Sequence, residues 1–220
     1  MSETIVIAEI VKGAVHPTTS ELITAANALG SQPTVIVPCA DASVADGAAQ
    51  FSGAAKVIAA KSDVFSNYDA AGWAAALDAV APAGVLITSA SPQSKDLAAR
   101  LAARRGISVV QDVVKIEGGN LTSPIYSGKA MQTVSLTGNA VVSVRPNVFD
   151  SSGSGGSGDV SVVDTTGNVA TAVQEFMARA STRLDVAEAN IIVSGGRGMG
   201  SPANFSHLEA IADTIGAAVG

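Results

Sequence analysis

At 220 residues the chain is long enough to bury a sizeable core, as one large domain or as one domain with part of a second. Thirteen Lys and Arg against nineteen Asp and Glu leave a net charge of −6, and the basic residues are scattered, so there is no electrostatic footprint for nucleic acid. The single cysteine, Cys39, rules out an internal disulfide, His16 and His207 stand far apart without a Cys partner, which argues against zinc, and no apolar run reaches the ~18 residues that cross a bilayer. A hydrophobic share of 47%, an aromatic share of 4% and abundant Ala, Val and Gly point to a soluble α/β protein. Residues 1–10 read as a strand with none of the charge pattern of a signal or transit peptide, so the bacterial cytoplasm is the expected address.

In chain order, "ETIVIAEI" (3–10) is a β-branched run, and "HPTTSELITAANALG" follows it with Thr18 and Glu21 at capping-box spacing and Gly30 as the stop. "TVIVPC" (34–39) then precedes the Ala-rich "SVADGAAQF", and "AKVIAA" (55–60) precedes a helix carrying Trp73, Leu77 and Val80. "GVLITSA" (84–90) precedes "SPQSKDLAARLAARRG", whose Arg104 and Arg105 read as a solvated helix C-terminus. Strands apolar throughout are of the kind buried on both faces of a parallel sheet. The expectation is therefore an open, mostly parallel, doubly wound sheet.

After Gly106 the texture changes. "SVVQDVV", "LTSPIYSGKA", "MQTVSL" and "AVVSVRP" are separated only by short turns, and are expected as strands joined by hairpins or short crossings that cap the sheet. The Ser/Gly stretch at 151–158 reads as a flexible loop. "GNVATAVQEFMARA" has helical periodicity through Val169, Val173, Phe176 and Met177. The chain then closes with "NIIVS" (190–194) as strand, "GGRGMG" as turn, and Phe205, Leu208, Ile211, Ala212 and Ile215 at helical spacing to its end.

The glycine turn is the motif with the most chemistry. A helix start with glycines beside it suits a pyrophosphate, and Arg197 would add a charge-assisted contact. From Gly196 the series is Gly-x-Gly-x-x-Ser, one glycine short of the dinucleotide fingerprint, and no second strand is expected to complete a β-α-β unit, so a plain tight turn is the competing reading. Ser91, Ser94 and Lys95 suit an anion-binding helix start or an activated-serine pair, although N-capping accounts for the serines without chemistry. Asp112 and Glu117 read as strand-end solvation, Cys39 as a small buried residue, and Tyr126 as a core or interface residue.

"VSGGRGMGSPANFSHLEAIADTIGAAVG" closely resembles the strand-turn-helix that opens the FAD-binding domain of electron transfer flavoprotein alpha subunits, including the Arg after the glycine pair and the Asn-Phe at the helix start. "IVIAEI", "AANALG", "SPQSKDLAARLAARRGISVVQDVV", "SPIYSGKAMQTVSL" and "VVSVRPNVFD" occur in that family's order and spacing. Ser94 stands where the family usually has Gly before Lys, Lys129 where it usually has Asn, and Asn147 where a small residue is common; none of the three lies in the glycine turn.

The resemblance implies an electron carrier and not an enzyme. Residues 1–185 correspond to a Rossmann-like, adenine nucleotide alpha hydrolase-like domain that docks the beta subunit, and 186–220 to the beginning of the FAD-binding domain. It implies FAD as cofactor, held in part by Arg197, Gly196 and Gly198, with further flavin contacts beyond Gly220 so that the site in this chain is incomplete. Electrons pass from flavin-dependent dehydrogenases, such as the acyl-CoA dehydrogenases of fatty acid beta-oxidation, to a quinone reductase or other acceptor, with no side chain doing acid–base work. A lone strand and helix at 190–220 is expected to dock on the first domain, complete a sheet in another chain, or be mobile. Two other classes remain open on the residues alone: a stand-alone module holding an adenine nucleotide at the strand carboxyl ends, although "IVKGAVHP" offers only Gly13, and a structural subunit that scaffolds a partner.

Overall fold

The computed structural model describes residues 3–156, 159–169, 183–186 and 189–220. The chain divides into two compact units, Met1–Ala172 and Val173–Gly220.

The first unit begins with β1 (Glu3–Ile7), a small hairpin of β2 (Ile10–Val11) and β3 (Ala14–Val15), and helix α1 (Thr18–Asn27). β4 (Thr34–Cys39), the short α2 (Asp46–Ala49), β5 (Lys56–Lys61), α3 (Ala70–Val80), β6 (Gly84–Ser89) and α4 (Pro92–Arg105) continue the alternation. β7 (Ser108–Val113), β8 (Lys115–Glu117), β9 (Asn120–Ile125), β10 (Ala130–Ser135), β11 (Ala140–Val144) and β12 (Val160–Asp164) complete the unit. Seven strands form one sheet in the order β12-β5-β4-β1-β6-β11-β7, and every neighbouring pair is parallel. From β1 the chain steps outward through β4 and β5, then returns to place β6 on the other flank of β1. The topological switch point, where ligands of doubly wound folds bind, therefore lies between β1 and β6.

The apolar strands explain this burial. Every residue of β4 and β6 is buried, and alternate residues of β1 feed opposite faces. Val6, Val35 and Ile87 pack with Leu22 and Ile23 of α1, whereas Ile5, Ile36 and Leu86 pack with Trp73 and Leu77 of α3 and Leu97 and Leu101 of α4. The Trp73 indole donates to the carbonyls of Val64 and Asn67 at 3.1 and 3.0 Å, so the buried ring keeps its polar atom satisfied.

Several expectations need correction. The antiparallel cap is confined to β8, β9 and β10, whereas "SVVQDV" and "AVVSV" join the parallel sheet, because the wholly buried β11 fits only between two neighbours. The Thr18 and Glu21 capping box does not form: His16 Nδ1 accepts from the Thr18 amide at 3.3 Å, and the Glu21 carboxylate accepts from the Asn147 amide at 2.7 Å. Arg105 is not solvated, since its guanidinium binds the Asp78 carboxylate and donates to the carbonyls of Ala81 and Pro82, closing the C-terminus of α3.

The Ser/Gly stretch, as far as it is described, is pinned and not a flexible loop. Gly155 and Gly156 donate to Gln50 O at 3.0 and 3.1 Å, Ser52 N donates to Gly153 O at 3.1 Å, and a Cβ on Gly156 would lie 2.3 Å from Phe51 O. Gly156 serves close backbone approach, while Gly153 and Gly155 adopt positive φ. The helical periodicity assigned to Val173, Phe176 and Met177 lies outside the described residues, while Val169 is exposed.

The second unit contains β13 (Ile192–Val193), α5 (Phe205–Ile215) and β14 (Ala218–Val219). The helix does not run to the end of the sequence. Gly216 adopts the left-handed conformation at φ 67°, which ends α5, and β14 then pairs in parallel with β13, Ile192 opposite Ala218. A small β-α-β unit is thus present where none was expected.

Candidate functional site

The turn between β13 and α5 is built from both ends. Gly195 N donates to Gly220 O at 2.9 Å and Gly220 N to Val193 O at 3.1 Å, so β14 carries the strand end that launches the turn. A short 3₁₀ turn over Arg197–Met199 follows, then a second over Pro202–Asn204, where Ser201 Oγ accepts from the Ala203 amide at 3.3 Å. Along α5, Phe205 and Leu208 are half-buried and Ala212 buried, whereas Ile211 and Ile215 are exposed.

The four glycines have three environments. A Cβ on Gly195 would lie 2.6 Å from Leu208 Cδ1, 2.9 Å from Met199 Cγ and 3.1 Å from Phe205 Cζ, so this glycine lets the helix sit against the turn. Gly200 has φ 73°, a conformation that L side chains rarely adopt. Gly196 has an extended backbone, with φ −119° and ψ −163°, and nothing lies within 4 Å of where its Cβ would be. Gly198 likewise lies outside the left-handed region, with open space at its Cβ position. Neither packing nor backbone strain within the described residues requires glycine at 196 or 198.

Around this turn lies an open depression of about 630 Å³ lined by Gly196, Arg197, Met199, Gly200, Ser201, Pro202 and Phe205. The structure thus brings Arg197 and Gly196 together, while Gly198 stands in the same turn without lining the depression. Among the described residues the amides of Arg197 and Gly198 donate to no protein acceptor, and the exposed Arg197 guanidinium has neither ion pair nor hydrogen bond. The lining offers one cation, backbone donors and an apolar wall of Met199, Pro202 and Phe205. That set suits an anionic group attached to a flat apolar ring. Among the described residues the lining holds no carboxylate, imidazole or thiol.

The other candidates lie in the first unit. Ser91 is the N-cap of α4 and accepts from the Ser94 amide at 3.1 Å, as N-capping requires. Both serine hydroxyls also donate to the buried carboxylate of Glu9, Ser91 Oγ to Oε1 at 2.7 Å and Ser94 Oγ to Oε2. Glu9 follows β1 and Ser91 follows β6, so this carboxylate sits at the switch point, beside the start of α4. Lys95 lies 3.7 Å from Asp112. Asp112 is not simply solvated: it has φ 61° and is held by both Nε and Nη2 of Arg145, a hydrogen-bonded pairing that, helped by the Lys95 charge and opposed by desolvation, keeps its carboxyl below the usual value. Glu117 is exposed and pairs with Lys115.

Cys39 is buried, and burial, reinforced by Asp41, raises its thiol pKa. Tyr126 is not a core residue; it is 78% exposed at a hairpin tip with φ 52°. His16 is engaged by Thr18. Among the described residues no group of His, Cys, Asp or Glu is placed to hold a metal ion, and no helix is long and apolar enough to cross a membrane.

Sequence reasoning missed Gly195 and Gly200 as structural glycines, Asn204 as a partner of the turn, and Glu9 and Arg145. Gly195 had a legible signal, lying between an apolar strand and a helix that has to pack on it. Glu9 had none, because its partners are 82 and 85 residues away.

Comparison with known proteins places these geometries in a family. The electron transfer flavoprotein domain matches residues 4–168, and the electron transfer flavoprotein FAD-binding domain matches residues 185–220. The electron transfer flavoprotein subunit alpha of Mycobacterium leprae (strain TN) is 36% identical, covering 100% of this chain and 72% of its own length. That of Mycobacterium tuberculosis (strain ATCC 25618 / H37Rv) is 39% identical with the same coverage, and that of Bacillus subtilis (strain 168) is 34% identical over 98% of this chain and 70% of its own length.

Proposed function

We propose that this chain, which belongs to the electron transfer flavoprotein alpha-subunit family, uses the turn at 195–204 to hold part of an FAD. As a member of a family named for electron transfer, it is a carrier subunit and not a catalyst with a substrate of its own. The observation that supports the flavin reading most directly is the state of Gly196: among the described residues nothing demands glycine there, and Gly196 lines the depression, so the space left by its missing side chain is available to a ligand. Arg197 supplies the charge-assisted contact, and the amides of Arg197 and Gly198 supply backbone donors. When bound, the flavin supplies the redox chemistry; the protein binds it, orients it and sets the charge around it.

In the same reading residues 1–185 form the domain that docks an electron transfer flavoprotein beta subunit in a heterodimer, and 186–220 contribute to the FAD-binding domain. The carrier works in the bacterial cytoplasm, accepting electrons from flavin-dependent dehydrogenases such as acyl-CoA dehydrogenases and passing them to a quinone reductase or other acceptor. The adenine-nucleotide alternative loses support at Glu9, whose buried, negatively charged carboxylate at the switch point would repel a nucleotide phosphate.

The test is to mix the chain and a beta subunit with FAD, desalt, and record the visible spectrum for wild type, Arg197→Ala and Arg197→Lys. Wild type is expected to retain flavin and Arg197→Ala to lose it about tenfold faster, as befits one charge-assisted contact. Equal retention by Arg197→Ala and wild type would remove Arg197 from the site, and a colourless wild-type complex would remove the site itself.

A further inference from the structure

We infer that Asn204 is a positioning residue that clamps a strained turn at Gly200 and so fixes the segment carrying Arg197; the inference rests on the flavin reading above. Gly200 has φ 73° and ψ −36°, and the Ser201 amide donates to the Met199 carbonyl at 2.8 Å, two residues back. Together these define a γ-turn of the positive-φ form, which is rare and strained. Such a conformation persists only where its surroundings over-determine it, and it gathers at functional sites.

The surroundings are specific. The Met199 carbonyl accepts a second hydrogen bond from Asn204 Nδ2 at 2.7 Å, so both of its lone pairs are engaged. The Gly200 amide donates to Arg197 O at 3.1 Å and the Met199 amide to Gly196 O at 2.9 Å. The peptide plane between Met199 and Gly200 is therefore fixed on both sides, and Arg197 and Gly196 are tied to it. Asn204 is the residue that joins this set to α5, because it stands at the N-cap of the helix.

A second observation separates this role from ordinary capping. An asparagine at an N-cap normally turns its side-chain oxygen onto the first free amides of the helix, and Asn204 makes no such bond. Its carboxamide is directed instead at the turn. Asn204 does not line the depression, so it acts through the loop and not by touching the ligand.

Asn204→Asp keeps the shape and removes the donor, and Asn204→Ala removes the side chain. Both are to be compared with wild type in the full chain, first without flavin by hydrogen exchange of the Gly200 and Ser201 amides, then in complex with a beta subunit by FAD release and by the flavin absorption bands. One lost hydrogen bond predicts exchange and FAD release about five- to tenfold faster, with the flavin bands displaced and the melting temperature of the first unit unchanged. The absorption shift is the readout that a merely structural asparagine would not move. FAD held equally, with unchanged bands, by wild type and both variants overturns the positioning role while leaving the flavin reading in place. A wild-type complex that holds no FAD overturns both.

Discussion

Replacing each glycine of the turn by alanine separates the glycines that the protein needs from those that a ligand needs. At Gly195 the added methyl stands 2.6 Å from Leu208 Cδ1, which has to retreat by about 0.8 Å to reach ordinary contact at 3.4 Å, while Met199 Cγ at 2.9 Å and Phe205 Cζ at 3.1 Å also give way. Leu208 and Phe205 are half-buried and able to yield in part, so the cost falls in the lower part of the overpacking range, about 1–2 kcal/mol. Gly200→Ala carries a comparable penalty of about 1–2 kcal/mol from the left-handed φ. Gly196→Ala and Gly198→Ala meet no atom within 4 Å and leave the left-handed region untouched, so lowering the freedom of the unfolded chain makes them neutral or more stable by about 0.4–1 kcal/mol. Native-state hydrogen exchange of the α5 amides reports these values for the second unit without requiring the whole chain to unfold. In FAD retention the order reverses: Gly196→Ala fills part of the depression offered to the ligand and lowers affinity about tenfold or more, whereas Gly198→Ala, outside that lining, has the smaller effect. Gly196→Ala destabilising α5 as much as Gly195→Ala does, or Gly196→Ala holding FAD like wild type, would refute this separation of the glycines.

Two further outcomes test the first unit. Glu9→Ala removes the acceptor shared by Ser91 and Ser94 and is expected to lower unfolding stability by about 2–3 kcal/mol in urea melts, while millimolar AMP or phosphate leaves the wild-type melting temperature unchanged. A nucleotide-dependent rise in wild type would revive the adenine-nucleotide reading. Because Arg145 holds the Asp112 carboxyl below its unfolded value of about 4, this pair's stabilisation is complete above that value and is lost as pH falls through the lower folded value. The stability difference between wild type and Asp112→Asn should therefore hold steady from about pH 7 to pH 5 and shrink as the pH falls below about 4, and a difference that begins to shrink well above pH 5 would show that the ion pair does not act as described.

Much of the first unit was legible because its signals are local. "TVIVPC" and "GVLITS" are apolar throughout and become strands buried on both faces, and Ser91 with Gly106 brackets α4 as a cap and a left-handed stop. What was lost depended on distant partners. The Thr18 and Glu21 spacing promised a capping box, but His16 is nearer the first amide and Asn147 takes the glutamate. "AVVSV" follows a turn as a hairpin strand would, yet its five buried residues belong between β6 and β7. The Ser/Gly run shows how composition misleads: Gly156 is there because the backbone of Phe51 is 2.3 Å from its missing Cβ. In the second unit, strand, turn and helix were readable, but Gly216 as a stop and the two residues of β14 were not, because a strand that short has no periodicity.

The two units use the same physics to opposite ends. Each has a strand that runs into a turn and a helix, the arrangement that leaves backbone donors facing outward and favours an anion. At the switch point of the first unit the anion is supplied from within: Glu9 is 8% exposed and both of its carboxylate oxygens are engaged by the serines that open α4. A ligand phosphate there would have to displace a buried carboxylate that is already hydrogen-bonded, and it would meet like charge in doing so. In the turn of the second unit, among the described residues, no carboxylate lines the depression, the Arg197 guanidinium is unpaired, and Gly196 holds space open. Charge and space therefore favour the terminal turn over the switch point as the place where this chain receives an anionic cofactor, although the fold of the first unit alone points to the switch point.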